Sequence, residues 1–484
     1  MDVEDRIREA VREDRPDPSM QFHGRVMTSI ADRPTRTRGL ALGFAGLLRF
    51  AAAAVVLVLV FGAVGLPLMF SRPAAAGPSR SPGVTGGALA ATTSQHVPPT
   101  TSVAPTPGFM STDSPGHNYW TSTLLLDGRV LLAGGHEMKI GYFAYATLYD
   151  PATDKFTPTG SMTMPRSRMS AIRLLDGRVL IVGGLTGTGV VVPTAEIYDP
   201  ATGKFTRTGS LNTPRQMNTA TLLQDGRVLI TGGDVLKPIG STNGTGVALM
   251  AYHAGSTGQT LQYTATQPLV LLASAEIYDP KTGKFSLTGS MTRPREDSTA
   301  TLLPDGRVLV SGNIGGSDPA NPFTDKTAEI YDPATGKFTL TAPLNIARSM
   351  AIATVLSDGR ILVIAGSADG KSCELYDPNT GKFTLTGSLS IARFGFTSTL
   401  LLNGRVLITG GALMNVAGVT ASAELYDPTT GKFTPAGSMT ISREDAAATR
   451  LPDGRVLIGG GLGYSPDLPA GYLADLTSAE LYQP

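Results

Sequence analysis

Residues 170–205 read SAIRLLDGRVLIVGGLTGTGVVVPTAEIYDPATGKF, and the order of signals in this stretch decides the fold. An apolar run leads into Asp-Gly-Arg, a second apolar run ends at a glycine pair, and a third ends at Tyr-Asp-Pro. Asp-Gly between apolar runs is a strong signal for a tight β-hairpin. The Asp-Pro-Ala-Thr-Gly segment after the tyrosine is typical of a type I turn closed by a glycine. The stretch therefore predicts four short antiparallel strands.

The same pattern occurs seven times along the chain, at a spacing that is mostly about 50 residues. Each copy starts its first turn with Asp-Gly-Arg, or once with Asn-Gly-Arg, and ends its third strand at a tyrosine. A period near 50 residues with four strands in each repeat is that of a β-propeller blade. The turns begin at Asp127, Asp176, Asp225, Asp305, Asp358, Asn403 and Asp453, and the tyrosines are Tyr149, Tyr198, Tyr278, Tyr331, Tyr376, Tyr426 and Tyr482.

Only six fourth strands follow the seven sets of first, second and third strands, because the chain stops at Pro484 just after the seventh tyrosine. Before the first repeat, Phe109 and Thr112 reproduce the spacing of Phe156 and Thr159. We therefore expect this N-terminal segment to supply the outer strand of the last blade. Such an arrangement closes the ring and leaves no large open sheet edge.

A glycine pair, a tyrosine and an aromatic residue seven positions further on recur in register, and this combination resembles the kelch repeat. The resemblance implies an all-β fold, a seven-bladed kelch-type β-propeller over residues 108–484. The aromatic residue here is phenylalanine where the kelch family usually has tryptophan, which changes the packing volume rather than the architecture. The phenylalanines are Phe156, Phe205, Phe285, Phe338, Phe383 and Phe433.

The composition excludes several kinds of partner and cross-link. A formal net charge of +1 with 16% charged residues gives no basic field, so we expect no nucleic-acid partner. Cys373 is the only cysteine, which excludes an intramolecular disulfide. It stands where other repeats have alanine, which indicates a small buried side chain in a strand.

An apolar run precedes the repeats. Residues 50–70 are 21 consecutive uncharged and mostly apolar positions, a length that crosses a hydrocarbon core of about 30 Å as a helix. We therefore expect a transmembrane helix over residues 49–70. Arginines are more frequent before this run than after it, so the N-terminus is expected in the cytoplasm and the repeats outside. A signal peptide cleaved near Ala74–Ala76 is the alternative, but the run and the region before it are too long for one.

Two further segments complete the predicted organisation. Residues 1–48 contain two short amphipathic patterns separated by prolines, which predicts short helices in a cytoplasmic arm. The arm loosely resembles the cytoplasmic ends of bacterial anti-sigma factors, and a solvated arm is the alternative. Residues 71–107 are rich in Pro, Ser, Thr, Ala and Gly, so they are expected to form an extended linker. The protein is thus predicted to cross the cell membrane once.

Six repeats carry both an arginine at the start of the predicted inner strand and a glutamate in the third strand. The first repeat has His117 and Thr147 instead, so both members are missing together. This joint loss favours an ion pair within each blade over an anion-binding ring of arginines. The arginines are Arg166, Arg215, Arg295, Arg348, Arg393 and Arg443, and the glutamates are Glu196, Glu276, Glu329, Glu374, Glu424 and Glu480.

Candidate binding residues concentrate on the face formed by the glycine loops and the blade connections, where the repeats differ most. The longest variable segment runs from Asp234 to about Ala273, and loops of such length are usually functional lids or disordered. Arg168 lies two residues after a repeated arginine, at a position that in animal kelch domains often faces the ligand. The candidates on this face are Tyr119, Trp120, His136, Arg168, Tyr252 and His253.

Two repeats share an Arg-Glu-Asp triplet. It is expected to place Glu296, Asp297, Glu444 and Asp445 near the pore mouth, three blades apart. Paired carboxylates could perform acid–base chemistry on a glycoside or bind a hard cation. Solvated loop charges neutralised by neighbouring arginines are the alternative interpretation.

Galactose oxidase and its relatives share the kelch propeller, and their copper–radical site needs a tyrosine linked to a cysteine, two histidines and a second tyrosine. This chain does not match that set, because Cys373 occupies a buried-strand position and the propeller contains only His117, His136 and His253. We therefore expect no cofactor and no metal site.

The leading functional hypothesis is a membrane-anchored, extracytoplasmic module that binds a protein or a glycan through its variable face. We expect a binding protein rather than an enzyme, by analogy with the fold. One alternative is a carbohydrate-active enzyme that uses the opposed carboxylates. Another is a sensor that signals through its cytoplasmic arm.

Overall fold

The computed structural model describes residues 108–112, 118–137, 141–236, 269–312, 325–414, 416, 418–464 and 473–484. These residues belong to one compact unit. Their secondary structure is all β, as predicted, and consists of seven four-stranded antiparallel sheets with three smaller sheets.

Each four-stranded sheet takes its strands from one sequence repeat, except that the last sheet also receives the first strand of the chain. In the part of the chain that precedes Ala347 the strands are β1 (Gly108–Ser111), β2 (Tyr119–Leu124), β3 (Val130–Glu137), β4 (Gly141–Asp150), β5 (Lys155–Pro158), β6 (Ser170–Arg173), β7 (Val179–Val182), β8 (Thr194–Asp199), β9 (Lys204–Ser210), β10 (Thr219–Leu222), β11 (Val228–Thr231), β12 (Asp234–Leu236), β13 (Leu269–Leu271), β14 (Ala275–Asp279), β15 (Lys284–Leu287), β16 (Thr299–Leu302), β17 (Val308–Ser311), β18 (Ala328–Asp332) and β19 (Lys337–Leu340).

The last three repeats follow the same order of strands, and the sixth and seventh have short extra strands around their glycine pairs. They contain β20 (Ile352–Val355), β21 (Ile361–Ile364), β22 (Cys373–Asp377), β23 (Lys382–Leu385), β24 (Arg393–Phe394), β25 (Thr397–Leu400), β26 (Val406–Thr409), β27 (Ala412–Leu413), β28 (Ser422–Asp427), β29 (Lys432–Ser438), β30 (Arg443–Glu444), β31 (Ala447–Arg450), β32 (Val456–Gly459), β33 (Leu462–Tyr464), β34 (Leu473–Asp475) and β35 (Ala479–Gln483).

The first strands of the seven sheets, here called the inner strands, contact one another in a closed cycle. Each inner strand contacts the inner strands of the sheets before and after it, and the last contacts the first. The cycle is β2, β6, β10, β16, β20, β25, β31 and back to β2. The inner strands therefore enclose a common channel.

Strand β1 completes the last sheet, whose order is β1, β35, β32, β31. Phe109 lies opposite Tyr482, and their ring centroids are 5.0 Å apart. The same pair within a single repeat, Tyr198 and Phe205, has a centroid distance of 4.8 Å. The segment before the first repeat thus reproduces the outer strand that the sequence predicts it to supply.

The turn after each inner strand has the same hydrogen bonds in successive repeats. In the third repeat, Asp225 Oδ1 accepts the backbone N–H of Arg227 at 3.0 Å and Asp225 Oδ2 accepts Arg227 Nε at 2.7 Å. Gly226 takes a φ of 87°, which favours glycine. Asn403 replaces the aspartate once, and its oxygen still accepts the backbone N–H of Arg405 at 3.1 Å. These aspartates therefore serve the turn.

The hydrophobic core lies between neighbouring sheets. The second strand of each sheet is its most buried part, and Val179 to Val182 are 0% exposed. The third-strand tyrosine joins two repeats, since the hydroxyl of Tyr198 is 2.9 Å from that of Thr159 in the preceding repeat. Burial of apolar surface between sheets is the main source of stability, at about 25 cal/mol for each Å².

A buried ion pair occurs in each of the six repeats that carry both residues, which confirms the prediction. Arg166 Nη2 is 2.7 Å from Glu196 Oε1, and both side chains are 0% exposed. Arg166 Nη1 also donates to the carbonyl oxygens of Gly183 and Thr194, at 3.1 and 2.9 Å. Glu196 Oε2 accepts the backbone N–H of Thr163 at 2.7 Å. The pair therefore fixes the segment between two sheets to the second of them.

The position of the arginine differs from the prediction in one respect. Arg166 does not begin the inner strand but lies four residues before Ser170, the first residue of β6. It can form the pair from there because the carbonyl groups of Gly183 and Thr194, on either side of the loop after β7, accept hydrogen bonds from the guanidinium. Burial lowers the pKa of Arg166, and Glu196 opposes this shift. The other pairs are Arg215–Glu276, Arg295–Glu329, Arg348–Glu374, Arg393–Glu424 and Arg443–Glu480, at 2.9–3.1 Å.

The predicted arm, transmembrane helix and linker, over residues 1–48, 49–70 and 71–107, lie outside the described residues. Within the residues that the structure does describe, no helix has the length and apolar character needed to cross a membrane.

Candidate functional site

The sheets share two faces. On the hairpin face lie the tight turns of neighbouring repeats, where a Cβ added to Gly177 would be 2.6 Å from Leu126 Cδ1. On the glycine-loop face lie the glycine pairs and the segments that lead into the inner strands. Here the N–H of Gly184 donates to the carbonyl of Arg215 in the next repeat at 2.9 Å. The sequence-predicted variable face is the glycine-loop face.

Six residues with one shared backbone conformation surround the channel on the glycine-loop face. Each lies two residues after a buried arginine and two residues before an inner strand. Five of them are not glycine, yet their φ values are between 46° and 58°. We call Arg168, Met217, Asp297, Met350, Gly395 and Asp445 the mouth residues.

The mouth residues of neighbouring repeats are hydrogen bonded through their backbones. The N–H of Met217 donates to the carbonyl of Arg168 at 3.1 Å, and the N–H of Asp445 donates to that of Gly395 at 2.7 Å. A left-handed conformation costs a residue with a Cβ about 1–2 kcal/mol, and such strain clusters at functional sites. The same backbone conformation therefore presents different side chains at the channel mouth.

Two of the mouth residues are carboxylates from opposed positions of the ring. Asp297 precedes β16 and Asp445 precedes β31, and these strands are three steps apart in the cycle of contacts. Both aspartates are partly exposed. A Cβ added to Gly395 would be 2.7 Å from Asp445 Oδ1, so this carboxylate lies directly over the neighbouring repeat.

The two glutamates of the Arg-Glu-Asp triplets have a different environment. Glu296 and Glu444 are each 2% exposed, and Glu444 is part of β30, opposite Leu462. The interpretation of the triplets as solvated loop charges is therefore wrong for the glutamates. Both glutamates are packed inside the protein. The accessible negative charge at the channel mouth is therefore that of Asp297 and Asp445.

The first repeat contributes an extended aromatic hairpin. Strands β3 and β4 continue past the glycine pair, so that His136 lies opposite Tyr142 with ring centroids 4.9 Å apart. Phe143 and Tyr145 stack at 5.8 Å, and Tyr145 is 50% exposed. His136 was predicted from the sequence, whereas Tyr142 and Tyr145 were not. The Gly-Tyr-Phe-Ala-Tyr run that begins β4 is the signal that could have found them.

Other candidates are placed only by their backbone or are not described. Tyr119 pairs with Gly135, so β2 brings Tyr119 and Trp120 to the glycine-loop end of the first sheet. Arg168 is 6% exposed. Tyr252 and His253 lie outside the described residues, although the excursion that contains them begins and ends as the hairpin of β12 and β13.

The residues of this site do not fit a copper centre of the galactose oxidase type. Cys373 is 0% exposed in β22, and its Sγ donates to the carbonyl of Lys371 at 3.3 Å. Burial raises the pKa of this thiol to about 11. In the described ranges, no three His, Cys, Asp or Glu residues are grouped so that they could hold a metal ion.

The comparisons with known proteins agree with the repeat. Residues 166–212, which extend from the buried Arg166 past the end of β9, match the Kelch motif. The fold is similar to that of a fungal alcohol oxidase of the AA5 family in complex with copper, with a TM-score of 0.55 and 14% identity over 78% of this chain and 76% of that chain. No curated protein matches the chain. The second repeat therefore matches the kelch motif, and the all-β fold of repeated four-stranded sheets is consistent with a kelch-type β-propeller.

The strain at the mouth can be tested by replacing Met350 with glycine. We expect the free energy of unfolding to rise by up to about 1 kcal/mol, because relief of the left-handed conformation outweighs the added chain entropy. Chemical denaturation would measure it. The matched control is Ala351→Gly, outside the left-handed positions, which should destabilise the protein. If Met350→Gly and Ala351→Gly destabilise the protein equally, the left-handed backbone at Met350 is not strained.

Proposed function

We propose that the seven sheets are the blades of one closed propeller, and that this propeller is the extracytoplasmic binding module of a membrane-anchored protein. Its ligand is a glycan or a protein, bound on the glycine-loop face. The membrane anchor is the apolar run over residues 49–70.

One observation carries the proposal of the binding face. The mouth residues repeat a strained backbone but present an arginine, two methionines, two aspartates and a glycine. The hairpin face, in contrast, repeats the same aspartate, glycine and arginine. Binding residues are typically placed on variable loops that a rigid scaffold positions. A constant scaffold with varied side chains is what this face provides.

Exposed apolar and aromatic side chains on the same face support this proposal. Tyr145, Val190, Val416 and Tyr464 are 50%, 54%, 62% and 37% exposed. They come from the sixth, seventh, first and second repeats, which are consecutive in the closed cycle. Tyrosines with an apolar ring and a polar hydroxyl are enriched at binding surfaces.

The path of the chain is compatible with a free glycine-loop face. Gly108 lies opposite Gln483 and Ser111 lies opposite Glu480, so β1 runs from the hairpin face toward the glycine-loop face. The described chain therefore enters the propeller on the hairpin face, and the proposed binding face is the opposite one.

The membrane topology is tested by reporter fusions after Pro484. A reporter enzyme that is active only outside the cytoplasm should be active there, because the arginine bias before residues 49–70 places the N-terminus inside. A cytoplasm-dependent reporter that retains full activity at the same position would contradict this topology. Mass spectrometry of the mature N-terminus distinguishes an anchor from a signal peptide cleaved after Ala76.

The contribution of the third-repeat excursion is tested by replacing residues 237–268 with a short Gly-containing turn. Leu236 and Leu269 are paired, so a tight hairpin can join them without moving β12 or β13. We expect loss of ligand binding on a glycan array with little change in melting temperature, because loop-closure entropy varies slowly with length. Unchanged binding would exclude the excursion from the site.

A second variant distinguishes a carbohydrate-active enzyme from a binding module. Asp297→Asn with Asp445→Asn should abolish turnover of a bound glycan if these accessible carboxylates perform acid–base chemistry. A binding module has no turnover to lose. Hydrolysis of any array ligand by the unmodified protein would favour the enzyme.

A further inference from the structure

The inner strands contain one position at which two repeats depart from the other five. It is the last residue of each inner strand, on the hairpin face. Five repeats have an aliphatic residue there, whereas the second and seventh have arginine. In chain order the residues are Leu124, Arg173, Leu222, Leu302, Val355, Leu400 and Arg450.

Both arginines reach the wall of the channel. Arg173 Nη1 donates to the carbonyl of Leu124 at 2.8 Å, and Arg450 Nη1 donates to that of Leu400 at 2.7 Å. The N–H of Leu125 donates to the carbonyl of Arg129, the turn residue that immediately precedes β3. Because backbone groups alternate in direction along an antiparallel pair, the carbonyl of Leu124 points away from β3 and into the channel. The guanidinium groups therefore lie along the channel edge.

Among the described residues, no carboxylate forms an ion pair with either of these arginines. The inner strands contain no aspartate or glutamate, and their only charged residues are Arg173 and Arg450. In the described part of the chain neither guanidinium forms an ion pair, whereas the arginine of the same hairpin face in the second repeat, Arg178, is 2.7 Å from Asp176. A channel lined by one sign of charge concentrates counter-ions.

The two arginines also lie on neighbouring sides of one strand. Arg173 donates to the end of β2 and Arg450 to the end of β25, and both of these strands contact β31, so the two guanidinium groups lie on either side of the inner strand of the seventh repeat. The hydroxyls of Ser122 and Thr449 are 2.6 Å apart across the boundary between β2 and β31. Arginine presents a planar set of donors that matches the oxygens of phosphate-like anions.

We propose that the hairpin-face end of the channel is an anion site, in which Arg173 and Arg450 bind a tetrahedral oxyanion of the phosphate or sulfate class beside β31. Repulsion between the two guanidinium groups is relieved when the anion is bound.

The test measures binding of inorganic phosphate and of sulfate to the full chain in nanodiscs, by calorimetry and by melting temperature at constant ionic strength. We expect both anions to stabilise the protein more than chloride does. The anion that binds more tightly indicates whether the natural ligand carries a phosphate or a sulfate group. Arg173→Leu and Arg450→Leu introduce the residue that other repeats carry there. Each should weaken binding by about tenfold or more, and the double variant should abolish it.

The matched control is Arg405→Leu, an exposed arginine of the same face whose turn partner is Asn403. This variant should retain the affinity. If Arg173→Leu does not fold, Arg173→Gln keeps a donor for the Leu124 carbonyl but removes the charge, and it should still weaken binding. No stabilisation beyond that of chloride, an unchanged affinity in the double variant, or an equal loss in Arg405→Leu would overturn the site.

Discussion

Replacing Arg215 with alanine is expected to destabilise the protein by about 3–5 kcal/mol, because Glu276 would keep its buried charge without the opposing cation. Both side chains are 0% exposed, and Arg215 Nη2 is 3.0 Å from Glu276 Oε1. Arg215 Nη1 also donates to the carbonyls of Gly232 and Ser274, at 2.9 and 3.0 Å. Removing Arg215 therefore breaks the hydrogen bonds to Gly232 and Ser274 as well as the ion pair.

Glu276→Ala should be destabilising by a similar amount for a different reason. Glu276 accepts the backbone N–H groups of Asn212 and Thr213, at 2.8 and 3.0 Å, and these residues belong to the segment between two sheets. Without the carboxylate, two backbone donors and the buried Arg215 cation lose their acceptor.

A double-mutant cycle by chemical denaturation measures the pair. The double variant should cost less than the sum of the two single variants, because no isolated charge remains. The control in the same repeat is the exposed pair of Arg227 and Asp225, 40% and 46% exposed, whose removal should cost no more than about 1 kcal/mol. Strict additivity for Arg215 and Glu276 would show that they do not interact.

Deleting Gly108–Ser111 is expected to have the second large effect, a loss of at least about 3 kcal/mol together with loss of a single cooperative unfolding transition. The deletion removes the outer strand of the last sheet and uncovers Leu481 and Tyr482, which are 2% and 1% exposed. An uncovered sheet edge also promotes aggregation. Calorimetry and light scattering measure both consequences.

The matched control for this deletion is Phe285→Ala, which removes the equivalent aromatic ring from the outer strand of the third repeat. It should lower stability while the transition stays cooperative, because the ring of sheets remains closed. A fully cooperative transition of the deletion variant, at an unchanged midpoint, would show that β1 does not close the propeller.

The closing junction contains a feature that the sequence analysis did not identify. Where other repeats have a turn glycine with a φ of 67°, the first repeat has Asp154 with a φ of 55°. The hydroxyl of Tyr149 donates to Asp154 Oδ1 at 2.8 Å, and Thr112 donates to the same oxygen. Elsewhere the threonine contacts the tyrosine directly, as Thr159 does with Tyr198. An aspartate thus connects the N-terminal segment to the first sheet.

Much of the fold follows from the sequence because the repeat supplies internal comparisons. The joint absence of the arginine and the glutamate in the first repeat predicts the ion pair, and Phe109 predicts the closing strand. Asp154 could also have been found this way, as the one turn that lacks its final glycine. Comparison between repeats is informative wherever a local interaction recurs.

The mouth of the channel is less predictable from residue types. Met217 and Met350 give no sequence signal for a left-handed backbone, whereas Gly395 suits it because glycine has no Cβ. At Met217 the conformation accompanies a backbone hydrogen bond to Arg168 of the neighbouring repeat, which is a tertiary contact. Burial of Glu296 and Glu444 likewise depends on the path of the segment that precedes each inner strand.

The central claim is that ligand binds to the glycine-loop face, and a glycan array probed with three forms of the full chain tests it most directly. One variant combines Tyr145→Ser with Asp445→Asn on the glycine-loop face. The other combines Leu126→Ser with Leu175→Ser on the hairpin face, where both leucines are 67% exposed. We predict glycan binding by the unmodified chain that the first variant loses and the second retains. Binding that only the hairpin-face variant loses would contradict the assignment of the face, and the absence of any bound glycan would contradict a glycan as the ligand.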